Sequence, residues 1–120
     1  MTDGAIYVTN DMTAQREYID PNGRSPFALW RGSLDDVART RVTIALLRLA
    51  AGNVSHVKSV GQGVSELKVD FGPGYRVYFG RDGLQLVILL GGGTKKRQQA
   101  DIAEAQTRWS DYKRRKTGEV

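Results

Sequence analysis

From Leu84 to Leu90 the chain is almost continuously apolar. Such a run is far too short to span a bilayer. It has the composition of a central strand buried on both faces. Gly91-Gly92-Gly93 follows directly, is read as a break in that strand, and is assigned the role of a flexible turn.

Upstream of this run the apolar period is two. Ser65 to Phe71 alternates, with Leu67, Val69 and Phe71 on one face and Glu66, Lys68 and Asp70 on the other. Gly72-Pro73-Gly74 is a turn. Tyr75 to Phe79 then alternates again, with Tyr75, Val77 and Phe79 opposed to Arg76 and Tyr78. Arg81-Asp82-Gly83 marks a second turn. Nearer the N-terminus the period is helical. Ser25-Pro26 supplies an N-cap and a proline at the first helical position of a short helix carrying Phe27 and Trp30, which Gly32 ends. Ser33 to Asp36 reads as a capping box, and Leu34, Ala38, Val42, Ala45, Leu46 and Leu49 then form a buried stripe up to the stop signal Gly52-Asn53. A first strand is expected over residues 13–19, with a turn at Asp20–Gly23. A last helix is expected from Lys96 or Arg97 to Tyr112, with Ile102, Ala105, Trp109 and Tyr112 along one side.

The fold class implied is α+β: an antiparallel sheet, two N-terminal helices packed on one face and a C-terminal helix, in the order β-α-α-β-β-β-α. At 120 residues the chain makes one domain. The expected bounds are a flexible extension at 1–12, in which Met12 would serve as an alternative start, a domain at 13–112, and a basic disordered tail at 113–120.

Cysteine is absent, which excludes disulfides, thiolate metal sites and a cysteine nucleophile, and fits a reducing cytoplasm. No apolar leader segment is visible at the N-terminus. Charge is unevenly placed: residues 1–36 carry 3 basic and 6 acidic groups, 37–94 carry 7 and 3, and 95–120 carry 8 and 4. That gradient points to a polyanionic partner, although a basic protein without one is an equal reading.

The hairpin carries the chemistry. If Gly72–Gly74 sets the register, Phe71 lies opposite Tyr75, Asp70 opposite Arg76 and Lys68 opposite Tyr78. Glu66, Lys68, Asp70, Arg76 and Tyr78 then share one polar face, with Lys95-Lys96-Arg97 able to reach its end. Cleavage of RNA by its own 2′-hydroxyl needs a base, cations for the phosphorane-like transition state, and an acid for the leaving 5′-oxygen. Arg76 suits bidentate phosphate contact, and Lys68 adds charge or acts as a base. Glu66 is a second possible base. Tyr78 is suited to stacking on a nucleobase or donating a proton. Arg81, Lys96 and Arg97 are candidate RNA-contacting cations. An ordinary solvated sheet face with an Asp70–Arg76 ion pair would show the same pattern. His56, the one histidine, sits in the loop after Asn53, where a lone histidine is ordinarily solvated. The three glycines are no phosphate loop, because no Gly-Lys-Ser/Thr follows them.

Several segments in order complete the picture: Ser25-Pro26-Phe27 with Trp30, Leu49 to Asn53, Lys58 to Lys68, Gly72-Pro-Gly-Tyr-Arg-Val-Tyr78, Leu89 to Lys95, and Gln98 to Ile102. In this arrangement the chain resembles the RelE/HigB-like toxins of type II toxin–antitoxin systems over about residues 25–105. The resemblance implies a RelE-like fold and a metal-independent, cofactor-free endoribonuclease that cuts messenger RNA in the ribosomal A site. It also implies neutralisation by a small helix-turn-helix antitoxin. By position, Arg76 matches the phosphate-stabilising arginine, Lys68 a basic position, and Lys95 the lysine after the glycine-rich strand end. Thr94 stands where the family often has aspartate, and the N-terminal segment is longer than expected. A ParE-like gyrase toxin and a non-catalytic antitoxin-binding homologue are the rival readings.

Overall fold

Local chemistry starts and stops the N-terminal helices. In the computed structural model, which describes residues 12–118, the Ser25 hydroxyl accepts a 3.0 Å bond from the Ala28 amide, with Pro26 opening helix α1 (Pro26–Gly32). Helix α2 (Asp36–Ala50) is capped by Asp35, whose carboxylate accepts from the Ala38 amide at 2.8 Å. The cap is thus Asp35 rather than the expected Ser33. Its far end closes on Gly52 at φ 97°, with the Gly52 amide bonded to Leu49 and the Asn53 amide to Arg48. That pair of bonds satisfies the last carbonyls, and glycine accepts the left-handed turn without strain.

Five strands form one sheet in the order β1-β5-β4-β3-β2, comprising β1 (Ala14–Glu17), β2 (Val57–Ser59), β3 (Val64–Val69), β4 (Tyr75–Arg81) and β5 (Leu86–Gly93). The element order follows the expected α+β plan with one addition, the three-residue edge strand β2. β1 runs parallel to β5, so the sheet is antiparallel everywhere but at that edge. A 3-10 turn (Lys95–Arg97) leads into helix α3 (Gln98–Lys116). The helix runs past Tyr112 through the Lys113–Lys116 segment expected to be a disordered tail. Cations in a last helical turn interact favourably with the helix dipole, and Lys116 and Arg115 reach Asp82 and Asp111. Of the N-terminal extension expected at 1–12, residues 1–11 lie outside the described residues and Met12 is exposed.

Each face of the sheet has its own core. Helices α1 and α2 cover one face, packing Phe27, Val42, Leu46 and Leu49 on Leu67, Val69, Val77, Phe79, Val87 and Leu89. Helix α3 covers the other, with Ala105 and Trp109 against Tyr18, Val64, Tyr78, Ile88 and Leu90. The apolar run in β5 supplies both, as a strand covered on two sides must. The three glycines after it do not break the strand. They stay paired with β4, Gly93 opposite Arg76, Gly92 opposite Val77 and Gly91 opposite Tyr78. Their lack of side chains is used: a Cβ on Gly92 would lie 2.3 Å from the Trp30 ring, and one on Gly80 2.5 Å from the Trp109 ring. Indole rings therefore lie directly on the sheet backbone on both faces.

Two clamps fix the C-terminal end of α3. The Tyr18 hydroxyl donates to Asp111 at 2.6 Å, and the Tyr112 hydroxyl donates to Asp82 at 2.6 Å. The Tyr18 hydrogen bond, followed by Arg115 and Arg114, holds the Asp111 carboxyl below its ordinary range against the opposing effect of desolvation.

Trp109 is 5% exposed, and its loss leaves a cavity over Gly80 that no neighbouring backbone can fill. Trp109→Ala is expected to destabilise the protein by about 3–5 kcal/mol in urea unfolding; a change below about 1 kcal/mol would mean that α3 contributes little to the core. Asp111 gives a pH signature. Because its folded pKa is depressed, its stabilisation is present above the unfolded carboxylate value of about 3.9 and is lost as pH falls through the lower folded value. Asp111→Asn should thus lower the urea midpoint at neutral pH, and the gap to wild type should close in strong acid.

Candidate functional site

The hairpin register decides which side chains meet. Val69 pairs with Tyr75, Lys68 with Arg76, and Glu66 with Tyr78. This is two residues away from the expected register, because the connection is a five-residue loop, Asp70–Gly74, and not a three-residue turn. Phe71 is turned back within it, its amide bonding the Val69 carbonyl at 2.8 Å while its own carbonyl accepts from Gly74 at 3.1 Å. The Phe71 ring packs against the α2 core, where the guanidinium carbon of Arg41 lies 4.7 Å from its centroid. Asp70 therefore makes no pair with Arg76 and is exposed in the loop. A slip of two preserves side-chain parity, so Glu66, Lys68, Arg76 and Tyr78 still share one face.

That face is not the open polar surface expected. The first turn of α3 lies over it, and Glu66, Arg76 and Tyr78 are only 2%, 7% and 1% exposed. Glu66 is the centre of the cluster. Its Oε2 accepts a 2.8 Å bond from Gln98 Nε2 at the start of α3. Its Oε1 lies 3.6 Å from Arg76 Nε and 3.8 Å from Lys58 Nζ, the latter on β2 opposite Glu66. Arg76 Nη1 donates to the Gly74 carbonyl at 2.6 Å, while its Nε has no hydrogen-bond partner. The Tyr78 hydroxyl is also buried without one. Desolvation, then the charges of Glu66 and Asp101, push that phenol well above its ordinary range. Tyr78 thus stays protonated, and with its ring under α3 it offers no face for a nucleobase to stack on.

Beside Glu66 opens a depression of about 300 Å³, lined by Ser55, His56, Lys58, Glu66, Lys68 and Arg76. Three cations, Lys58, Lys68 and Arg76, face one carboxylate there. Lys68 and Arg76 are direct cross-strand neighbours, an arrangement that ordinarily destabilises a sheet. The site can bind an anion with two or more oxygens and offers carboxylate, amine and imidazole groups for proton transfer.

Other expected site residues lie elsewhere. Lys95, Lys96 and Arg97 are exposed in the 3-10 turn that leaves β5 just after Gly93, the neighbour of Arg76, and do not line the depression. Arg97 is 3.7 Å from both Asp101 and Glu104. Arg81 points to the opposite sheet face, its guanidinium carbon 5.6 Å from the Phe79 centroid. Sequence reasoning missed Lys58, Gln98 and Asp101, and undervalued His56. Asp101 is 8% exposed and fits where a Cβ on Gly93 would sit, and burial raises its pKa. Among the described residues no grouping of histidine and carboxylates could hold a metal ion, and no helix is long and apolar enough to cross a membrane.

The molecule is thus a small α+β protein whose two-faced sheet carries a cationic cleft beside a buried carboxylate. Residues 30–110 match the family described as Phage derived protein Gp49-like (DUF891), and the chain belongs to it. That family is associated with toxin–antitoxin systems and related to RelE-like toxins, which indicates an antitoxin partner. An uncharacterized protein of Haemophilus influenzae is 41% identical over 81 residues, covering 67% of this chain and 82% of that protein.

Arg76 and Glu66 are both buried, so removing one strands the other. Arg76→Ala should destabilise the fold by about 3 kcal/mol, contrary to what an exposed face would predict. The Arg76→Ala/Glu66→Gln double variant should recover part of that loss, with a coupling of about 0.5–3 kcal/mol in urea unfolding. Additive effects of the two changes would show that the pair does not interact.

Proposed function

We propose that this protein is the toxin of a RelE/HigB-like toxin–antitoxin module and a ribosome-dependent messenger-RNA endonuclease. The observation that carries the reading is the cationic depression, where Lys58, Lys68 and Arg76 crowd around one carboxylate with Lys68 and Arg76 in direct opposition. Such crowding is relieved when a phosphate enters. Membership of a toxin–antitoxin-associated family supports the same reading. Its antitoxin is a small helix-turn-helix protein.

In this mechanism the RNA supplies its own nucleophile. A base removes the 2′-hydroxyl proton, O2′ bonds to phosphorus, the P–O5′ bond breaks, and an acid protonates the departing 5′-oxygen. Arg76, held by Gly74 and Glu66, and the more exposed Lys58 and Lys68 match the charge that grows on the phosphoryl oxygens. His56, Lys68 and Glu66 border the depression and are the groups from which base and acid are drawn. Imidazole is the side chain best suited to proton transfer near neutrality. Tyr78 lies opposite Glu66 beneath α3, outside the lining of the depression, and takes no part in the proton transfers. Lys95, Lys96 and Arg97 lie outside the cleft and serve docking to ribosomal RNA.

One histidine without a histidine partner is a weak acid–base set for free RNA. Holding the backbone in line is worth several kcal/mol and is what the ribosomal A site would add. Purified protein should therefore leave a naked transcript largely intact and cut it on programmed ribosomes, less so as salt is raised. Arg76→Lys, which keeps the charge but not the fork, should cut at least roughly tenfold more slowly. Equal cleavage with and without ribosomes would refute ribosome dependence. No cleavage in either, together with inhibited gyrase, would establish the ParE-like alternative.

A further inference from the structure

A second concavity lies next to the first, between α2 and the end of β3. It encloses about 230 Å³. Arg41, Ile44 and Arg48 line it from α2, Asn53 from the following loop, and Asp70 and Phe71 from the hairpin loop. His56 and Lys68 line both concavities, so the two meet at the sheet edge where β2 begins, one on the α3 side and one on the α2 side. The groove exists because of the five-residue hairpin loop. By turning Phe71 back onto α2, the loop places an aromatic ring and a carboxylate beside the helix.

The groove's charges are left open. Arg41, Arg48, Lys68 and Asp70 are exposed, and among the described residues none of them forms an ion pair. Yet Arg41 has a defined place, its guanidinium resting on the Phe71 ring. A guanidinium supported from below presents its outer plane to a flat partner. The Asn53 carbonyl oxygen is already engaged by the Ser55 amide at 3.0 Å and the Ser55 hydroxyl at 2.7 Å, which fixes the amide and leaves its NH2 to donate. Asp70 supplies the complementary acceptor. Two cations for a phosphodiester, a supported planar cation for stacking, and one donor with one acceptor for a base edge make a set that suits a nucleotide of single-stranded RNA.

We propose that this groove is a nucleotide subsite that holds the RNA residue adjoining the scissile phosphate. The base stacks on Arg41, Asp70 accepts from its amino group, and Arg48 contacts the neighbouring phosphate. Bases with an exocyclic amine are thereby favoured over uracil. The choice of RNA as ligand rests on the endonuclease reading. An acidic peptide would use the two arginines, but it has no need of the supported guanidinium or the opposed Asn53 and Asp70 groups.

The test uses the full chain and short 2′-O-methylated RNA oligonucleotides, which cannot be cut, followed by fluorescence anisotropy at low salt. Arg41→Gln/Arg48→Gln should bind at least roughly tenfold more weakly than wild type. Arg24→Gln/Lys113→Gln loses the same charge at positions away from the groove and should bind nearly as wild type. Asp70→Asn should narrow the difference between oligonucleotides carrying cytosine and uracil at the subsite. On programmed ribosomes the groove variant should raise KM and largely keep kcat, whereas Arg76→Lys lowers kcat. Equal weakening in both double variants would reduce the groove to general electrostatics and overturn the proposal. Absence of oligonucleotide binding, with capture of a Glu/Leu peptide that depends on Arg41 and Arg48, would overturn it in favour of a protein-docking surface. Groove-dependent binding without any cleavage on ribosomes would support a single-stranded RNA site in the groove while removing the endonuclease reading and, with it, the placement beside a scissile phosphate.

Discussion

Backbone left bare of side chains is the constraint on which this structure depends. At Gly80 a single methyl group would lie 2.5 Å from Trp109, at Gly92 2.3 Å from Trp30, and at Gly93 2.0 Å from Asp101. Interiors are close-packed, so atoms cannot be added there without moving a helix. The glycines let α1 and α3 lie tight on opposite faces of β4 and β5. The close approach of α3 then carries Gln98 to Glu66 and buries Asp101. The glycine pattern thus sets the depth of the cleft as well as the density of the core.

Electrostatics follow from that depth. Glu66 is nearly inaccessible, and a buried carboxylate is tolerated only with partners. Gln98 gives a hydrogen bond, and Arg76 and Lys58 give charge at 3.6 and 3.8 Å. The carboxylate in turn makes it possible for Lys68 and Arg76 to sit opposite each other. Stability alone would favour an apolar pair at these positions. In the proposed function an RNA phosphate completes the charge balance of this cleft.

Much of this was legible in the sequence, and the failures have physical reasons. Parity along β3 and β4 placed Glu66, Lys68, Arg76 and Tyr78 on one face, and a two-residue register shift could not disturb that. The shift itself depends on Phe71 folding back onto α2, a tertiary contact that a Gly-Pro-Gly turn signal does not report. Gly91–Gly93 resembles a break because glycine is costly in a strand, yet here the empty side of each residue is filled by a tryptophan, an aspartate or an arginine from another element. Strand β2 has three residues, too few for a period to show. Lys58 and His56 therefore fell outside the expected site, and only pairing of β2 with β3 brings Lys58 to Glu66 and His56 to Lys68.

The site's parts are far apart in sequence: Lys58, Glu66, Arg76 and Gln98 come from β2, β3, β4 and α3. No two of these elements hold the cluster without the others. Helix α3 is tethered by Gln98 at its start and by Tyr18–Asp111 and Tyr112–Asp82 near its end. Between these points Trp109 fixes its height above the sheet. Gln98 reaches Glu66 only from a helix held at this height, the same height that seats Trp109 on Gly80. Integrity of the cleft and stability of the α3-side core are therefore one property.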